Sequence, residues 1–130
     1  MPTPRSKIMS WKASGKADLP LTGDDRKWDE EQAKKSIFKW AGWPDNPNPV
    51  KARQAFFAYD DDDGEEKQSY KLPFAAVVDD RLKAVPHALH AVAAVLEGAR
   101  GGVDLPSGVI SDVRGKVEAY YRKMDEKVPW

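Results

Sequence analysis

The segment that follows Pro86 is the most apolar part of the chain. Residues 87–99 contain only two histidines and one glutamate among alanine, valine, leucine and one glycine. Proline is favoured at the first position of a helix, and glycine is a common stop just past its end. A helix that is apolar nearly all round has to be covered by the rest of the chain. We therefore predict a helix from His87 to about Ala99 at the buried centre of the fold.

Three other segments repeat apolar residues every three or four positions, which predicts helices. The segments are a first helix between the capping residue Asp29 and the stop at Gly42, a second helix that begins at Asn48 and Pro49 and extends to Tyr59, and a fourth helix from about Val109 to Met124. Asp29 and Gln32 have the spacing of a capping box, and Pro49 suits the first position of a helix.

Two short apolar runs, Phe74–Val78 and Leu82–Val85, flank a polar turn and predict one β-hairpin. Residues 1–27 contain three prolines and little periodicity, so we predict a mostly extended arm there. Residues 28–130 then form one compact domain. The predicted fold class is mainly α with a minor β part: about four helices and one short β-hairpin around a buried central helix.

The composition excludes several classes of protein. The 130 residues carry 21 basic and 21 acidic side chains, and eight of the acidic ones lie within residues 58–80. Affinity for nucleic acid usually needs a basic excess, which is absent overall. No apolar run reaches the length of a membrane span, and residues 1–16 lack the apolar core of a secretory signal. Without cysteine, disulfides and thiolate metal sites are excluded. Few Asn and Gln residues beside many charged ones are typical of a heat-adapted source.

Two groups of polar residues invite a catalytic or metal-binding interpretation. An EF-hand loop aligned on Gly64 would place Tyr59 at the first position and Tyr70 at the twelfth, where carboxylates are required, so the acidic run does not match that motif. His87, His90 and Glu97 share one stripe of the third helix, but His90 and Glu97 are about 10.5 Å apart along the axis. A metal-dependent hydrolase that uses the two histidines is the least favoured hypothesis. We expect no enzyme activity and no cofactor.

Basic residues on the first two predicted helices form a candidate nucleic-acid interface. Its members are Lys34, Lys35 and Lys39 on the first helix, Lys51 and Arg53 on the second, and Arg100 in the glycine-rich turn after the third. Two capped helices with basic side chains resemble a helix-turn-helix reader. The proline-rich link between them is long and stiff for that motif, and the zero net charge argues against it.

Trp43 and Trp130 lie beside prolines and outside any helical stripe. Exposed tryptophans are frequent anchors of protein–protein contacts, so both are candidate partner-binding residues. The alternative is that they form an aromatic lid over the small core.

Five short blocks, taken together and in this order, resemble a region found in tailed-phage and prophage genes, often attached to prohead (capsid maturation) protease sequences. The blocks are Trp40-Ala-Gly42, Tyr70-Lys-Leu-Pro-Phe74, Leu82-Lys-Ala-Val-Pro86, Gly98-Ala-Arg-Gly-Gly-Val103 and Tyr120-Tyr-Arg-Lys-Met124. The resemblance implies a phage or prophage origin, and a phage structural or maturation protein as partner. The protease's catalytic domain has no counterpart here, so no catalytic residue is implied.

The leading hypothesis is a non-enzymatic binding module of phage or prophage origin that docks onto another protein. We expect it in the host cytoplasm or associated with the virion, and not in a membrane. The alternative is a DNA-binding protein that uses the basic face of its first two helices.

Overall fold

A computed structural model describes residues 10–130 of the chain. Its elements in chain order are β1 (Trp11–Ala13), α1 (Glu30–Trp40), α2 (Pro49–Ala52), β2 (Phe56–Asp60), β3 (Tyr70–Pro73), β4 (Ala75–Val78), β5 (Arg81–Ala84), α3 (Pro86–Leu96) and α4 (Ser107–Lys123). The predicted first, third and fourth helices are present, with ends shifted by a few residues. Over this part of the chain, no helix combines the length and apolar character needed to cross a membrane.

The five strands form two small antiparallel sheets. β2 is the middle strand of the first sheet, where Ala58 pairs with Ala13 of β1 on one side and with Lys71 of β3 on the other. β4 and β5 form the predicted hairpin, which turns at Asp79 and Asp80 with φ of 53° and 63°. The chain is thus an α+β protein. The prediction of a mainly α fold with a single hairpin is wrong.

The predicted second helix is wrong beyond its first turn. Asn48 caps it as expected, because its side chain accepts a hydrogen bond from the Lys51 N–H at 3.1 Å, but α2 ends at Ala52. A 3-10 turn follows, and the chain then enters β2, whose five residues are all buried. The apolar spacing up to Tyr59 suits a helix, but an unbroken apolar run also suits a strand covered on both faces. β1 and β3 pair with this run, so the strand is formed.

Local signals set both ends of α1. Asp29 Oδ1 accepts a hydrogen bond from the Gln32 N–H at 3.1 Å, as the capping pattern predicts. Gly42 follows the helix with φ of 102°, and a Cβ there would lie 2.1 Å from the Asn46 carbonyl oxygen. Only glycine fits this left-handed position without displacing the backbone.

The core lies between the sheets and the helices, and α3 is at its edge. The fully buried large side chains come from several elements: Ile37, Phe56, Phe57, Phe74, Leu89, Val113, Val117 and Tyr120. α3 buries one face, while His87, His90 and Ala94 are exposed. The prediction of a buried central helix is therefore wrong, because one side of α3 borders an open groove.

The N-terminal segment is part of the packed body from β1 onward. Leu19 is buried, and its N–H donates a hydrogen bond to the Tyr120 hydroxyl of α4 at 3.0 Å. That hydroxyl in turn donates to the Lys16 carbonyl, and the Lys123 amine donates to the Leu19 carbonyl at 2.8 Å. α4 thus fixes the path of the segment that leads from β1 to α1. Residues 1–9 of the predicted arm lie outside the described residues.

Candidate functional site

An open groove of about 460 Å³ lies between α3, β3 and the beginning of α1. Its lining comes from four parts of the chain: Trp28, Glu30 and Lys34; Tyr70–Pro73; Ala91, Val92, Ala94 and Val95; and Ala99, Arg100, Gly102, Val103 and Asp104. This volume is within the range of ligand sites in proteins. The lining is mixed, because it combines apolar residues with five charged ones: Glu30, Lys34, Lys71, Arg100 and Asp104.

The floor of the groove is the face of α3 that the core leaves uncovered. Ala91 and Val95 are half-buried and Ala94 is exposed. These side chains are short, so an approaching chain can come close to the helix backbone without losing contact with apolar surface. The apolar residues of segment 87–99 thus lie on two faces of α3. One face packs into the core, and the other borders the groove.

One wall is β3, an outer strand of its sheet. Within the described residues, the strand order β1-β2-β3 gives β3 a single strand neighbour, and all four residues of β3 line the groove. Leu72 within it has φ of 63°, which bends the strand. Burial raises the pKa of Tyr70 to about 12, so its hydroxyl stays protonated and donates a hydrogen bond to the Gly64 carbonyl at 2.5 Å. This bond anchors one end of the strand.

Arg100 also lines the groove and lies in the turn that follows α3. Its backbone is left-handed, with φ of 55°, and three glycines with positive φ surround it at positions 98, 101 and 102. Within residues 10–130, no hydrogen bond or ion pair joins its guanidinium to another residue. The turn therefore holds an exposed cation at the rim of the groove.

Two lysines at the rim are already engaged. The Lys34 amine lies 3.4 Å from Glu30, one helical turn earlier on α1. The Lys71 amine donates a hydrogen bond to the Asp104 carbonyl at 3.1 Å and lies 4.6 Å from the centre of the Trp11 ring. Glu30 partly neutralises Lys34, and the Asp104 carbonyl and the Trp11 ring hold the Lys71 amine in place, which leaves Arg100 as the cation best placed to meet a ligand.

The members of the predicted nucleic-acid interface have different surroundings. Lys34 and Arg100 line the groove, whereas Lys35 and Lys39 are exposed on α1 outside it. Two further members are held by aromatic rings. The Lys51 amine is 4.2 Å from the centre of the Trp40 ring and donates to the Trp40 carbonyl, and the Arg53 guanidinium is 5.0 Å from the centre of the Tyr59 ring.

The two candidate partner-binding tryptophans have different surroundings. Trp43 is only 9% exposed, its ring packs edge-on against Phe38, and its indole N–H donates to the Glu65 carbonyl at 2.9 Å. This burial favours the alternative of an aromatic lid for Trp43. Trp130 is half-buried at the end of the chain, where its N–H donates to the Glu118 carboxylate at 2.8 Å.

The polar residues of α3 do not converge. His90 lies 2.7 Å from Glu126 near the C-terminus, and Glu97 forms an ion pair with Arg114 of α4 at 3.0 Å. Over the described part of the chain, no group of three or more His, Asp or Glu side chains could hold a metal ion.

Compared with models of protein families, with curated proteins and with solved structures, the chain gives no match. The resemblance to phage sequences therefore stays a prediction.

Two residues that line the groove, Lys34 and Arg100, were predicted from the sequence as functional, but as contacts to nucleic acid. The strand β3 was not predicted, although Tyr70, Lys71 and Leu72 alternate between apolar and charged as a half-buried strand does. That alternation was the available signal. It covers only three residues before Pro73, which is too short to predict a strand with a free edge.

Proposed function

We propose that this protein is a non-enzymatic binding module that docks onto another protein, and that the groove between α3 and β3 is its docking site. On the basis of the sequence resemblance, the partner would be a structural or maturation protein of a phage, in the host cytoplasm or in the virion. The alternative proposal, DNA binding, is less well supported because Lys51 and Arg53 are engaged with aromatic rings.

The observation that carries the proposal is an apolar helix face that remains accessible beside a free strand edge. Folded proteins usually cover the apolar faces of their helices and protect the edges of their outer strands. Here the uncovered face of α3 and the outer strand β3 border the same groove. A protein segment can satisfy both at once, because it brings apolar side chains for the helix and main-chain hydrogen bonds for the strand.

A display experiment tests this function. The purified full-length chain is used to select binders from a library of random displayed peptides, and each selected peptide is measured against Ala94→Trp. This substitution places a large ring on an exposed helical position in the groove. We expect selected peptides to lose at least about tenfold in affinity, because the ring occupies their binding site.

Ser111→Trp is the matched control, since Ser111 is an exposed helical residue of α4 away from the groove. It should leave affinity unchanged. The proposal fails if no peptide is enriched, or if Ala94→Trp and Ser111→Trp have the same effect. Binding of labelled DNA that weakens steeply with salt would favour the alternative function instead.

A further inference from the structure

We propose that the occupant of the groove is an extended peptide segment of another protein, which pairs with the free edge of β3 and places a carboxylate against Arg100. This inference rests on the proposed docking function and specifies the chemistry of its ligand.

The strand edge is the first argument. An outer strand offers unpaired main-chain groups to an added strand, whose own side chains then alternate between two sides. Among residues 10–130, β3 is outer in the order β1-β2-β3, and Tyr70–Pro73 line the groove. Pro73 has no N–H, so the main-chain donors of this edge come from the residues before it. A segment that adds there needs no helical structure of its own. A helix placed in the same groove would leave the strand edge uncovered.

The small side chains of the floor are the second argument. Every second side chain of an added strand points to the same side. On the side of α3 it would meet Ala91, Ala94 and Val95, which offer apolar surface without bulk. Medium-sized apolar residues such as valine, isoleucine or leucine suit this surface. The preferred ligand is therefore apolar at alternate positions.

Charge complementarity supplies the third argument. Lys34, Lys71 and Arg100 line the groove against Glu30 and Asp104, an excess of one positive charge. Lys34 is paired with Glu30, and Lys71 donates to a main-chain carbonyl. The guanidinium of Arg100 is exposed at the end of the groove and can bind a carboxylate through two parallel hydrogen bonds. An acidic residue, or a free C-terminal carboxylate, is thus expected near one end of the segment.

The test extends the display selection. Binders are sequenced, and the most enriched peptide is synthesised in three forms: unmodified, with its acidic side chain replaced by the corresponding amide, and with alternate main-chain nitrogens methylated. Affinities are measured for the full-length chain and for two variants, Arg100→Gln and Arg81→Gln. Arg81 is an exposed arginine of β5 outside the groove, so the second variant removes the same charge elsewhere.

We expect enrichment of peptides that alternate apolar residues and carry Asp or Glu at one end. Arg100→Gln should weaken binding by about tenfold, and Arg81→Gln by less than about twofold, because a charge-assisted hydrogen bond acts only at contact distance. The amide peptide should lose about as much as Arg100→Gln, and should lose nothing further in that variant. Methylation on the nitrogens that pair with β3 should abolish binding.

Other results separate this inference from the function on which it rests. Peptides that depend on Ala94 but carry no carboxylate, or that bind Arg100→Gln and Arg81→Gln equally, overturn the inference and leave the docking function intact. Absence of any groove-dependent peptide overturns both. A dimer in light scattering that Ala94→Trp dissociates would show a second copy of this chain as the occupant, which also overturns the inference.

Discussion

Left-handed backbone at Leu72 and Arg100 is the feature of single residues that bears most directly on the groove. This conformation costs a residue with a Cβ about 1–2 kcal/mol. It is found where the surrounding structure holds the backbone in place. Both lie in the groove lining, with φ of 63° and 55°. Leu72 is buried, so the packing of its side chain offsets the cost of its left-handed backbone. The exposed side chain of Arg100 forms no hydrogen bond or ion pair within residues 10–130 that would offset this strain.

Replacement of Arg100 by glycine should therefore raise stability and lower binding. Glycine adopts positive φ freely but loses more chain entropy on folding, so the net gain should be about 1 kcal/mol or less. The free energy of unfolding is measured with urea, alongside the affinity for a peptide selected on the groove. Arg100→Lys is the control, because it keeps both a cation and the strained backbone. A loss of stability in Arg100→Gly would contradict the argument.

At the scale of elements, the caps show which structure the local sequence determines. Asp29 begins α1 and Asn48 begins α2 through side-chain hydrogen bonds within three residues, and both were predicted from the sequence alone. The identity of β2 is different. Its apolar run is compatible with helix or strand, and the choice is made by β1 and β3, which come from distant parts of the chain. The groove could not be predicted from local sequence for the same reason, because it forms only where α3 and β3 lie side by side in the fold.

The cap of α1 gives a prediction for this element. Asp29→Ala removes the acceptor for the Gln32 N–H and should lower the free energy of unfolding by about 1 kcal/mol. Asp29→Asn keeps an acceptor and should lose only part of this. Asp45→Ala removes the same charge from an exposed loop position and should change stability by less than about 0.5 kcal/mol. Urea unfolding followed by tryptophan fluorescence measures all three. Equal losses in Asp29→Ala and Asp45→Ala would contradict the capping role.

The whole molecule is stabilised by aromatic residues that join elements remote in sequence. Phe57 of β2 stacks on Phe74 with 3.9 Å between ring centres, and Tyr120 of α4 packs against both. Tyr70 similarly joins the first sheet to Phe38 of α1. These contacts connect α1, the first sheet and α4 in a single core, and the hydrogen bonds of Tyr120 and Lys123 attach the N-terminal segment to α4. The cooperative unit should therefore include the described part of the segment that was predicted as an extended arm.

Two tyrosines of this core make stability depend on alkaline pH. Burial raises the pKa of Tyr70 and of Tyr120 from the ordinary value of 10.0 to about 12 in the folded protein. Their contribution is fully present below pH 10, where folded and unfolded states both keep the phenol proton. Between about pH 10 and pH 12 the unfolded state loses this proton first, so unfolding becomes more favourable as pH rises.

We expect the free energy of unfolding to fall by about 1–2 kcal/mol per tyrosine over this interval, an order of magnitude set by the size of the two pKa rises. Urea-unfolding curves at half-unit steps from pH 9 to 12 measure the fall. Lysines titrate in the same range, so the comparison that isolates the tyrosines is with Tyr70→Phe and Tyr120→Phe. Each variant should be less stable at pH 8, because a hydrogen bond to a main-chain carbonyl is lost, and each should show a shallower alkaline slope. Parallel slopes in all three proteins would show that the tyrosines do not carry the effect.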